Sequence, residues 1–240
     1  MAKKTALITG ASSGIGLAIA NMLGSEGYSL TVAARRPEKL EAAAAGLREE
    51  GYEVLAVAAD MQSEDDIKRV VDAHRAEYGR LDVLINNAGV GVGAPVGDYT
   101  TKSIDMQMDV NFRAIVLFYR ETVDLLRAAA AENKTALVVN TSSISGKFGQ
   151  GWLSVYSATK HAVVGFTQAM NKELSGEGIK STALCPAFVD TPMTDFAKGQ
   201  VPADEMITPD DIAAGVRMLI HQSPACIVPE IIFQRPGEDL

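Results

Sequence analysis

Only two cysteines occur in the chain, Cys185 and Cys226, with no CxxC pair and no His-rich spacing around them. That excludes a disulfide framework and a structural zinc site, and both thiols are expected to be reduced and buried, as in a cytoplasmic protein. The three histidines form no metal set with spaced partners: His74 and His221 fall on separate predicted helices, and His161 points about 100° around its helix from Lys160. No metal ligands are assigned. No apolar run approaches the roughly 20 residues of a spanning helix, and Met1-Ala2-Lys3-Lys4 leads straight into the strand-like TALITG, so neither anchor nor signal peptide is expected. Lys and Arg number 22 against 30 Asp and Glu, a net charge of -8 with no basic cluster, which argues against nucleic acid or an anionic membrane as partner. Repeats, low-complexity tracts and Pro/Gly/Ser linkers are also missing, so one domain over residues 1–240 is the simplest organisation.

What is present is an alternation. Short Val/Ile/Leu-rich runs, apolar throughout, stand near 5–9, 29–34, 53–58, 82–86, 135–141, 180–185 and 229–233. Helical periodicity fills 14–25, 37–50, 63–78, 103–130, 155–176 and 209–221. Uninterrupted apolar strands with crossovers of helical length predict a parallel sheet buried on both faces. Two stretches, 89–102 and 187–208, exceed the usual connection length and are expected to be binding loops, the second a substrate loop.

After the first strand the chain reads TGASSGIG, placing Gly10, Ser12, Ser13, Gly14, Ile15 and Gly16 between a strand and a helix. Glycines there let backbone N–H groups approach a pyrophosphate at a helix N-terminus. Three such glycines alone are a weak signal; their position strengthens it. NAD sites usually carry an acid after the second strand for the ribose 2′-hydroxyl, whereas this chain has Arg35 and Arg36, whose guanidinium groups suit a 2′-phosphate. NADP(H) is therefore expected over NAD(H), with dual use open because Ser13 occupies a turn position that a second basic residue would strengthen.

YSATK places Tyr156 and Lys160 four residues apart on one helix face. A tyrosine working near neutral pH must fall from near 10 to near 7, which is about 4 kcal/mol of preference for the phenolate, and a nearby ammonium acts in that direction. Ser143, in NTSSISG beyond the fifth strand, is placed to hydrogen-bond a reacting oxygen, with Ser142 as the neighbouring alternative. Gly10, Arg35, Asp60, Asn87, Ser143 and Pro186 each follow the end of one of the first six predicted strands. In a parallel sheet those ends share one edge, the carboxyl edge where ligands bind.

At these residues the sequence resembles the short-chain dehydrogenase/reductase family, through TGASSGIG, NNAG (86–89), Asn111, Ser143, YSATK and CPAFVDTPM (185–193). The resemblance implies an α/β Rossmann-type domain: a doubly wound seven-stranded parallel sheet, order 3-2-1-4-5-6-7, with helices on both faces. It implies hydride transfer between nicotinamide and a carbonyl or secondary alcohol of a small-molecule substrate, in a homodimer or homotetramer. By the same resemblance Tyr156 is the acid/base, Lys160 binds the ribose and lowers the Tyr156 pKa, Ser143 orients substrate, and Asn111 holds a relay water. Asp60 and Met61 would sit at the adenine, Asn87, Ala88 and Gly89 along the adenosine, and Pro186, Val189 and Thr191 against the nicotinamide. The chain departs from the family in its Pro-Ala at 186–187 and in its ending, SPACIVPEIIFQRPGEDL, which bears on assembly. Phe148, Trp152, Met193, Phe196 and Met206 flank the catalytic segment and the long loop, and are either an apolar substrate lining or packing. A non-catalytic NADP(H)-binding sensor or scaffold is the alternative; intact Tyr156, Lys160, Ser143 and Asn111 speak against it.

Overall fold

The structure, a computed structural model, describes residues 3–195 and 201–237. Seven strands, β1 (Thr5–Thr9), β2 (Ser29–Ala34), β3 (Val54–Ala58), β4 (Val83–Asn86), β5 (Ala136–Thr141), β6 (Ile179–Pro186) and β7 (Glu230–Phe233), join in one sheet of order β3-β2-β1-β4-β5-β6-β7. Every pairing is parallel. All residues of β1, β2, β4, β5 and β6 are buried, while the outermost strands β3 and β7 are partly open. That difference explains the uninterrupted apolar runs: an inner strand covered on both faces has no solvent side on which to alternate.

Among the described residues seven α-helices cover the faces: α1 (Gly14–Ser25), α2 (Pro37–Glu49), α3 (Glu64–Tyr78), α4 (Thr101–Met108), α5 (Ala114–Asn133), α6 (Ser154–Leu174) and α7 (Pro209–Ile220). One core, with Ile19, Leu23, Leu40, Leu47, Ile212 and Val216, lies under α1, α2 and α7. The other, with Ile67, Val71, Leu117, Phe118, Leu126 and Val163, lies under α3, α5 and α6. Local chemistry fixes the ends: Ser63 caps α3 by accepting from Asp66 N–H, Glu64, Asp65 and Asp66 fill its first turn, and Gly79 closes it in the left-handed region.

Two sequence expectations change. Periodicity predicts one helix over 103–130, but the chain makes α4, a π-helical turn at Asp109–Arg113, and then α5. The added residue slips the phase of the apolar stripe by one position at a single point, which a periodicity read over the whole stretch averages out. Cys185 is buried as expected, whereas Cys226, just before the segment leading to β7, is only partly buried.

The amino edge of the sheet is closed by a buried ion pair. Arg80 donates to both Asp82 carboxylate oxygens, at 3.0 Å from Nε and 2.7 Å from Nη2. Asp82 also accepts from Thr5 N–H (2.9 Å) and Asn133 Nδ2 (2.7 Å), and Arg80 reaches Glu132 as well. Beside it, fully buried His74 donates from Nε2 to Arg80 O (2.8 Å), so Nδ1 is the acceptor for the Thr31 hydroxyl, also at 2.8 Å. Burial lowers the His74 pKa to about 4 despite the Arg80 carbonyl, keeping the ring neutral.

Candidate active site

The opposite, carboxyl edge begins with the glycine turn. Gly10 has φ +68°, and a Cβ there would stand 2.9 Å from Ala88 Cα and from Asn87 Nδ2. A Cβ on Gly16 would lie 2.4 Å from the Gly10 carbonyl oxygen. Any side chain at either position forces the turn open. Ser13 precedes α1 without a side-chain cap, the first turn holds no acid, and Ser12, Ser13 and Ile15 keep part of their surface exposed. The N-terminal N–H groups of α1 thus face outward with their positive dipole end uncompensated, a fit for a pyrophosphate.

Arg35 and Arg36 are exposed immediately after β2. Asp60, half-buried after β3, has its N–H bound to Asp66 (2.8 Å) and accepts from Gln62 N–H (3.0 Å). Met61 points into the core at 5 % exposure, so what it offers a nucleotide comes from its backbone. Asn87 is tied on three sides: its side chain donates to Thr9 O (3.2 Å) and Gly10 O (3.4 Å) and accepts from the Thr141 hydroxyl (3.3 Å). It braces the glycine turn besides lying on the edge with Ala88 and Gly89. Pro186 ends β6, Val189 is buried and bridges Ile207, and Thr191 lies on the turn, its Cγ2 3.0 Å from where a Gly14 Cβ would stand.

The catalytic candidates converge next to it. Ser143 accepts from Ser145 N–H (3.1 Å), and its hydroxyl is near enough to Tyr156 to act on the phenol's pKa. Ser142 is committed elsewhere, its hydroxyl donating to Lys160 O at 2.8 Å, which separates the two serines that sequence leaves as alternatives. Lys160, only 3 % exposed, donates from Nζ to Thr141 O (2.8 Å) and sits 5.6 Å from the Tyr156 ring centroid. Desolvation brings Lys160 down to about 8. It also raises Tyr156 above its usual 10, opposed by the nearby Ser143 hydroxyl. This reverses the expected direction for Tyr156: in the protein itself the cost of burying a phenolate exceeds what its neighbours return.

Asn111 is fully buried in the π-helical turn. Its Oδ1 accepts from Val90 N–H (2.8 Å), and Nδ2 donates to Val90 O (2.9 Å) and Thr159 Oγ1 (3.1 Å). Thr159 in turn donates to Tyr156 O at 2.7 Å, joining Asn111 to the helix that carries Tyr156. Sequence analysis passed over Thr159; the signal was there, a hydroxyl beside Lys160 in YSATK, but its partner is 48 residues away.

Of the apolar candidates, Phe148, Trp152 and Met193 are exposed at 40, 56 and 50 %. Met206 is buried and belongs to packing; Phe196 lies outside the described residues. Trp152 has φ +66°, a left-handed conformation that costs a bulky residue on the order of 1–3 kcal/mol. Among the described residues, no group of three or more His, Cys, Asp or Glu side chains is placed to hold a metal ion. No described helix is long and apolar enough to cross a membrane.

Comparison with known proteins places this geometry. The pattern described as short chain dehydrogenase matches residues 4–201. A candidate ketoacyl reductase of Streptomyces coelicolor is 36% identical, covering 95% of this chain and 94% of its own. A variant of the actinorhodin polyketide ketoreductase, solved with NADPH, superposes with TM-score 0.87 at 33% identity over 97% of both chains. The 3-ketoacyl-(acyl-carrier-protein) reductase of Brucella melitensis, solved with NADH, gives TM-score 0.87 at 28% identity over 96% of both.

Proposed function

The chain belongs to the short-chain dehydrogenase family, and from that premise we propose that it is an NADP(H)-dependent oxidoreductase for the carbonyl or secondary alcohol of a small, fairly apolar substrate. The whole chain acts as one dinucleotide-binding unit with the substrate loop at about 187–208. The observation that carries the reading is the meeting of Tyr156, Ser143 and buried Lys160, its Nζ 5.6 Å from the Tyr156 ring centroid, at the edge of the glycine turn.

A bound nicotinamide supplies or accepts the hydride. The uncapped start of α1 would hold its pyrophosphate, Arg35 and Arg36 a 2′-phosphate, Asp60 the adenine side, and Lys160 the ribose. Tyr156 is the general acid in reduction: burial keeps the phenol protonated at neutral pH, the form that donates to a carbonyl oxygen. Ser143 holds that oxygen as charge develops on it. The Asn111 side chain is fully engaged with Val90 and Thr159, so a relay water would be held by its main-chain carbonyl. The solved ketoreductase with NADPH supports NADP(H), and the relative solved with NADH leaves room for NAD(H). A homodimer or homotetramer in the cytoplasm completes the proposal; light scattering of the purified protein measures the former.

The test is oxidation of NADPH, and separately NADH, followed at 340 nm against aldehydes, ketones and diketones. Turnover with NADPH preferred is expected, and Arg35→Ala should cut that preference tenfold or more. Tight NADPH binding without turnover on any carbonyl would overturn the reading in favour of a cofactor-binding sensor.

A further inference from the structure

Trp152 is the single tryptophan of the chain, and its setting is unusual in three independent ways. Its backbone is left-handed, a conformation the neighbouring loop enforces: the Trp152 carbonyl accepts from Ala94 N–H at 2.8 Å and from the Tyr99 hydroxyl at 3.2 Å. Its ring lies on Gly93. A Cβ built on Gly93 would stand 2.3, 2.3 and 2.6 Å from Cε3, Cζ3 and Cη2, three successive ring carbons at nearly equal range, which puts the added methyl over the face of the ring and not at its edge. Yet more than half of the residue remains exposed, so the face turned away from Gly93 is the open one.

The ring borders the site. A Cβ on Gly91 would touch the Tyr156 ring at 3.6 and 3.7 Å, and Gly93 carries the Trp152 ring. Two residues of extended chain span at most about 7 Å. The two rings therefore rest against positions two residues apart in the loop after β4. Packing alone does not account for the arrangement. A tryptophan recruited to fill the core would be buried, and a solvent-facing loop position has no need of a left-handed backbone, a double acceptor and a glycine floor.

We propose that Trp152 is the specificity-determining residue of this site, a rigid aromatic platform that stacks the planar group next to the reacting carbonyl, so that aryl and conjugated ketones are preferred over saturated ones of the same size. The inference rests on the proposed carbonyl chemistry at Tyr156. One face on glycine and a locked backbone leave the indole few ways to reorient, and a flat partner gains dispersion and quadrupole contacts that a puckered ring does not.

The test compares acetophenone with cyclohexyl methyl ketone, which share a carbon count and differ in planarity. The ratio of their kcat/KM values, measured with NADPH, is expected to favour acetophenone, to fall about tenfold in Trp152→Ala and to fall less in Trp152→Phe. Gly93→Ala is a second route to the same loss, since its methyl displaces the ring without altering residue 152. Because this is the chain's single tryptophan, its fluorescence reports on the platform directly: acetophenone added to the cofactor-saturated protein should quench it saturably, and cyclohexyl methyl ketone should not. Equal losses for both ketones in Trp152→Ala, or unquenched emission while acetophenone is turned over, would overturn the proposal. Absence of turnover on either ketone with saturable quenching intact would instead strike the catalytic reading and leave the platform standing.

Discussion

The two edges of this sheet are built on opposite rules. At the amino edge, Arg80, Asp82, Asn133, Thr5, His74 and Thr31 form a buried set in which each named donor meets an acceptor, and the Arg80–Asp82 ion pair is satisfied from several sides. At the carboxyl edge, α1 starts uncapped, Gly10 and Gly14 take positive φ, a π-helical turn interrupts a helix, and the buried Asn86 Oδ1 has no hydrogen-bond partner among the described residues. A buried lysine there is shifted toward neutrality and a phenol is held protonated. The difference teaches where each part of the molecule contributes: the first edge fixes the fold, the second keeps donors, acceptors and strained backbone ready for a ligand.

The largest expected effect sharpens this division. Tyr156→Phe should lower turnover by about a thousandfold or more while leaving NADPH affinity and the melting temperature nearly as they were, because one hydroxyl on the functional edge is lost. Steady-state rates with a fluorescence titration and a thermal melt check it; retained turnover would sink the acid/base assignment. Next, Asp82→Ala at the amino edge leaves buried Arg80 with Glu132 alone and should cost about 3 kcal/mol, a fall in melting temperature of roughly 10 °C, with kcat of the folded fraction little changed. A large loss of kcat without loss of stability would break the comparison.

The smallest effect is a pH dependence. His74 has a folded pKa near 4 against about 6.5 when unfolded, so the unfolded chain binds the extra proton first. Its contribution is fully present above pH 6.5 and is lost as pH falls toward 4, up to roughly 3 kcal/mol. Denaturant unfolding at pH 7.5 and 4.5 should therefore show a larger acid loss in the wild type than in His74→Gln. Equal losses would mean that His74 is charged in the folded state.

Much of this was legible in the sequence. Each inner strand shows its burial as an unbroken apolar run, and the residues after the strand ends gather at one edge because parallel strands must end together. What remained hidden needs partners far along the chain. The choice of Ser143 over Ser142 depends on the Lys160 carbonyl, the brace from Asn111 to Tyr156 runs through Thr159, and the floor under Trp152 is Gly93. The upward direction of the Tyr156 pKa escaped for a related reason: spacing finds the ammonium nearby but carries no measure of how much water the pair has lost.

The π-helical turn at 109–113 has a consequence for how the chain tolerates changes in length. An α-helix advances about 100° per residue, so one extra residue in a turn rotates everything before it relative to everything after it. α4 and α5 are thus two helices running on different angular phases, with Asn111 at the join and pointing at Val90 and Thr159. Deleting a single residue there would restore a regular helix, and the price would be turning Asn111 away from Thr159 and the helix that carries Tyr156. A one-residue deletion at the exposed start of α4 would only shorten it.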